Sequence, residues 1–139
     1  MAGYSTTPLV RKLGIKPGAS IALLAAPEGF EPQLGELPEG AHIHTSLGEG
    51  APFDIVLCFT TRRGALADLI RDARPVMTPA AGLWVAWPKR ASKRPTEVDE
   101  NVVRELALPT GLVDNKVCAV DETWSGLRLV IRRELRPVP

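Results

Sequence analysis

"FDIVLCFTTRRGALADLIRDARPVMTPAAGLWVAWP", residues 53–88, sets two apolar runs on either side of one amphipathic segment. The first run, 53–60, is a continuous apolar stretch of strand length, the pattern of a strand covered on both faces. Thr61 is placed to cap a helix over about 62–74. Leu66, Leu69, Ile70 and Ala73 then form one apolar stripe at i, i+3, i+4, i+7. The second run, "GLWVAWP" (82–88), reads as another buried strand. A strand, a crossover helix and a strand make a parallel pair, with the crossover right-handed. Side chains alternate along a strand, so Trp84 points opposite to Trp87 and is read as core.

The pattern extends in both directions. Upstream, Thr7 caps and Pro8 begins a short helix that Gly14 ends. "KPG" (16–18) is a turn, "SIALLAA" (20–26) a fully apolar strand, and "AHIHTS" (41–46) a half-polar strand at a sheet edge. Downstream, Thr96 begins a helix with Asp99 three residues on, a variant of the capping box. Val98, Val102, Val103 and Leu106 face inward, and Pro109 and Gly111 stop the helix. The strands at 112–120 and 126–134 are joined by a short connection and so form an antiparallel hairpin. The expected fold is α/β: a Rossmann-like three-layer sandwich, doubly wound, with a mostly parallel sheet ending in an antiparallel hairpin. One domain is expected over residues 1–139.

Composition narrows the function classes. Hydrophobic residues make up 45% of the chain and charged residues 24%, enough for a core without metal or disulfide. Net charge is +1, which gives no global pull toward nucleic acid or an anionic membrane; neither partner is expected. Cations concentrate locally, at 89–94 and 128–136. Cys58 and Cys118 each lie in an apolar run, the setting of buried free thiols, with no metal spacing. The first residues lack a signal-peptide core, and no apolar run reaches membrane-spanning length. A cytoplasmic location is expected.

Open α/β sheets bind ligands beyond the carboxyl ends of their strands. That rule selects the loops "APEGF", "TTRRG", "PKRASKRP" and "DETWS" and the start of the first helix. Trp87, Lys89, Ser92, Lys93, Asp121, Glu122, Trp124 and Ser125 are the expected ligand-binding set, joined at the rim by Tyr4, Ser5, Glu28, Thr61 and Arg62. Lys89 and Lys93 favour an anionic group, and a helix N-terminus near Thr61 or Thr96 would add backbone donors. Each feature also has a plainer reading: solvated cations, packed tryptophans, and Asp121 or Glu122 bonded to the hairpin turn. His42 and His44 share one strand face at i, i+2, but without a third ligand nearby they read as a polar face, and no metal is expected. No nucleophile elbow, phosphate loop or GxGxxG is present.

"KLGIKPG", "WVAWPK" and "VCAVDETWSGLR" resemble an uncharacterised bacterial family, a domain of unknown function, over nearly the whole chain. The order of elements also resembles the fold of S-adenosylmethionine-dependent methyltransferases, here too short for their usual third strand. That resemblance implies a glycine-rich loop with an acidic residue after the first strand, and an acid ending the second to hold the ribose. This chain has "LLAAPEGF" (23–30) and "HIHTS" at those places, so no cofactor is expected. The leading functional expectation is a binding or regulatory domain with a small anionic ligand at the carboxyl edge. The others are a divergent enzyme on a methyltransferase-like scaffold, with Asp121 or Glu122 as base, and a protein-interaction module or homodimer.

Overall fold

A computed structural model describes residues 7–136. Among these described residues, the α-helices are α1 (Leu9–Leu13), α2 (Arg63–Ala73) and α3 (Glu100–Ala107). Six strands are β1 (Ser20–Leu24), β2 (His42–His44), β3 (Phe53–Phe59), β4 (Met77–Pro88), β5 (Leu112–Ala119) and β6 (Trp124–Ile131). They form one sheet in the order β2-β1-β3-β4-β6-β5. β1, β2, β3 and β4 pair in parallel; β6 is inserted antiparallel between β4 and β5. The α/β sandwich with a mostly parallel sheet and a closing hairpin is therefore present.

Each face of the sheet carries its own core. Val56, Cys58, Leu83, Val85, Trp87, Leu127 and Leu129 pack under α2 and α3. Ile55, Leu57, Phe59, Trp84, Ala86 and Trp124 pack under the end of α1 and the short helical turn at Glu31–Leu34. Two-sided burial explains why residues 55–59 of β3 and 81–88 of β4 read as unbroken apolar runs. Trp84 is fully buried, and its indole N–H donates to the Leu13 carbonyl at 3.1 Å. That bond satisfies its polar atom and fastens the end of α1 to the sheet. Gly14, at φ 80°, then turns the chain out of α1.

Several boundaries differ from the expectation for local reasons. α1 starts at Leu9, with Pro8 in the N-cap position. α2 has Arg62, not Thr61, at its N-cap, and Arg62 makes no side-chain cap bond. The bond comes from far along the chain: Glu97 Oε1 accepts from the Arg63 N–H at 3.0 Å. α3 starts four residues later than Thr96, with Asp99 as its cap, accepting from the Val102 N–H at 2.9 Å. Thr96 makes a local turn instead, accepting from the Val98 N–H at 3.0 Å. β4 begins at Met77 rather than 82; β3 and β4 lose register between Phe53 and Ile55, and the segment Thr78–Ala81 takes up the slack. The sheet edges are β2 and β5, each bonded on one side only. No helix among the described residues is long and apolar enough to cross a membrane.

Candidate functional site

The two expected halves of the site do meet. Trp87 is opposite Ser125 and Pro88 opposite Trp124 across β4 and β6, and the Lys89 N–H donates to the Thr123 carbonyl at 2.7 Å. "WPK" and "DETWS" therefore lie side by side at the carboxyl edge. The two indoles do not converge. Opposed residues share a face and neighbours alternate, so Trp87 and Trp124 face opposite sides of the sheet. Trp87 belongs to the α2–α3 core and Trp124 to the α1 core, each 8% exposed. Trp124 stacks edge-on against Phe59 with centroids 5.0 Å apart.

The remaining expected residues divide in the same way. Asp121 Oδ1 accepts from the N–H groups of Thr123 and Trp124, both at 2.8 Å, and so closes the hairpin turn. Ser92 Oγ donates to the Lys89 carbonyl at 2.7 Å and accepts from the Arg94 N–H at 3.3 Å, which folds the turn at Arg90–Ser92. Lys89 is half-buried, and its charge acts on the Cys118 thiol together with Lys12 and Lys116. Burial outweighs these cations and pushes that thiol up. Glu122 and Glu28 are exposed. Thr61 gives its carbonyl to the Glu97 N–H at 2.8 Å. Tyr4 and Ser5 lie outside the described residues.

Trp87, Lys93 and Ser125 do share one open groove of about 660 Å³ on the α3 side of the carboxyl edge. Arg90 and Arg94, absent from the expected set, complete its basic wall. They stood in the cationic tract 89–94, but only the turn at Arg90–Ser92 brings them beside Trp87. Lys93 closes that turn with φ 58°, a left-handed backbone costly for a side chain with a Cβ. The facing wall carries Glu97, Asp99 and Glu100. Glu97 and Asp99 are bonded to the first turns of α2 and α3, and Glu100 pairs with Arg104 at 3.4 Å. The helix N-termini expected to receive an anion are thus served by the chain's own carboxylates. None of Arg90, Lys93 and Arg94 forms an ion pair among the described residues.

Known structures share this fold. A SAM-dependent methyltransferase from Aquifex aeolicus is 14% identical, with 88% of each chain covered and a TM-score of 0.65. The fibrillarin pre-rRNA processing protein of Methanococcus jannaschii is 10% identical over 94% of this chain and 71% of its own, at 0.63. Aeropyrum pernix fibrillarin, solved with natively bound S-adenosyl-L-methionine, is 14% identical over 92% and 70%, at 0.58. At such identities the likeness is one of fold. No curated protein matches the sequence.

The loops where those folds would take S-adenosylmethionine are built differently here. Pro27 lacks an N–H, and the Phe30 N–H is already given to the Pro27 carbonyl at 3.0 Å. β2 runs out into Thr45 and Ser46 with no carboxylate to receive a ribose, and Ser46 Oγ accepts from the Gly48 N–H at 3.3 Å. This donor set does not fit that cofactor as the resemblance implies it. What the sequence matches directly is narrower: residues 44–133 fit the family described as "Protein of unknown function (DUF3052)", and the chain belongs to that family.

Proposed function

We propose that this protein is a binding domain that takes a small ligand, through an anionic group, in the groove at the carboxyl edge of the sheet. One observation carries the reading: Arg90, Lys93 and Arg94 line the groove beside Trp87 without an ion pair, while the acids opposite are engaged by backbone or by Arg104. Lys93 adds weight, because a non-glycine residue held in the left-handed region often marks a functional position. Arginine forks take carboxylate or phosphate oxygens two at a time, and the Trp87 edge supplies an apolar contact. The free state of Cys58 and Cys118 supports a reducing, cytoplasmic setting.

Titration of the full chain with inorganic phosphate and with citrate, followed by amide and indole NMR signals, tests this. The Trp87 indole and the amides of 90–94 should shift saturably. The exposed double variant Lys93→Gln, Arg94→Gln should bind about tenfold more weakly with its melting temperature retained. Signals from this edge that stay fixed up to about 20 mM of either anion, weaker than any useful affinity, would overturn the proposal.

A further inference from the structure

A second concavity lies on the other side of the molecule. It occupies about 610 Å³ on the α1 face, toward the amino ends of the parallel strands. Arg11, Lys12, Lys16, Lys116 and Arg128 line it, against one acid, Asp54. Asp54 is engaged elsewhere: Oδ2 accepts from the Ser20 N–H at 2.9 Å and Oδ1 from the Thr78 hydroxyl at 3.4 Å. None of the five cations forms an ion pair among the described residues, although Arg63, Arg71, Arg104 and Arg132 all do.

The backbone brings these charges together. β5 slips register between Asp114 and Lys116, and the extra residue, Asn115, sets Lys116 directly opposite Arg128. Like charges opposed across two strands repel. Lys116 Nζ reaches the Lys12 carbonyl and Lys12 Nζ the Ala119 carbonyl, both at 3.4 Å, so neither gains a carboxylate. Among the described residues, Arg128 gains only the Asn115 side-chain oxygen, also at 3.4 Å. Its guanidinium lies over Gly82, where a Cβ would stand 2.5 Å from Nε. Gly82 has no positive φ, so its lack of a side chain serves as room for the guanidinium. Burial, and then Arg136, push the Arg128 guanidinium down from its ordinary value, the direction set by a partly desolvated cation without a counter-ion. Leu13, Ile55 and Ala80 supply apolar wall.

We propose that this cleft is a second binding site, for a small molecule bearing a phosphomonoester or pyrophosphate group. Lys116, Lys12 and Arg128 hold the anion, and the apolar wall takes the remainder of the molecule. The volume suits a small ligand, and a multiply charged group answers the cluster better than one carboxylate. The site faces away from the carboxyl-edge groove and does not depend on it.

Pyrophosphate titrated into the full chain at about 0.1 M salt, a strongly screening level, is the probe. Amides of Lys16, Gly18, Ala19, Asn115, Lys116 and Arg128 should shift saturably. Arg128→Gln and, on the exposed strand surface, Lys116→Gln should each weaken the binding read from these amides about tenfold, while Lys93→Gln, Arg94→Gln leaves these amide shifts unchanged. Gly82→Ala should weaken it too, by displacing the guanidinium. Shifts confined to 90–94, or none, would overturn the proposal. So would displacement of pyrophosphate by a short single-stranded oligonucleotide binding at lower concentration, since that marks a nucleic-acid surface.

Discussion

Lys93 shows how one residue can combine a structural cost with a candidate role. Its φ of 58° would suit glycine, yet a lysine stands there beside the groove. Lys93→Gly should raise stability by about 1 kcal/mol, read from urea unfolding, because the left-handed strain is removed. The same variant should lose phosphate response at the carboxyl edge. Stability falling instead would show that the lysine side chain holds the turn. The strain was not legible in the sequence. "KRASKRP" shows a cationic tract, but which cation closes a turn depends on Ser92 bonding the Lys89 carbonyl.

Among the elements, the β5–β6 hairpin decides what the site contains. Asp121 carries two short backbone bonds across the turn, whereas Glu122 is exposed and carries none in the described structure. Asp121→Ala should therefore cost about 1–3 kcal/mol in denaturant unfolding, and Glu122→Ala close to nothing. Equal losses would refute this division of roles. Both of those bonds fall on Asp121 Oδ1, which ties that oxygen to the hairpin turn. Helix capping teaches a related lesson. The sequence offered Asp99 as the partner three residues on in a capping box begun by Thr96, whereas the structure makes Asp99 the N-cap itself, and Glu97 reaches the start of α2 across 34 positions. Local spacing points to a nearby cap and conceals a distant one.

Taken whole, the molecule is a sheet buried on both faces, and Cys58 reports on that burial. Its thiol is fully buried, donates weakly to the Trp84 carbonyl at 3.5 Å, and is pushed far up by desolvation. In the unfolded chain the thiol ionises near the ordinary 9.0, whereas in the folded chain it stays protonated. The folded state then binds the extra proton, so the contribution is intact below pH 9.0 and is lost as pH rises above it. Unfolding free energy should fall above that pH with a slope of up to about 1.4 kcal/mol per pH unit from this group. Cys58→Ala, though less stable overall, should lack that component; an unchanged slope would place the loss elsewhere.

The sequence by itself determined the α/β class, the strand–helix–strand unit, the closing hairpin and the burial of Trp84. Those features follow from periodicity and apolar runs, which register the local and averaged environment of a segment. That "WPK" and "DETWS" share an edge was implied only by the resemblance to the methyltransferase hairpin; the pairing of β6 with β4 in the structure places them there. Only the tertiary structure decided that Trp87 and Trp124 face opposite sides, because a one-residue change in strand register exchanges the faces. It alone gathered Lys12, Lys116 and Arg128, more than 100 positions apart at the extremes, into one cleft. Cations scattered along a balanced chain carry no pattern in one dimension; their meaning arises when the fold leaves them together without acids.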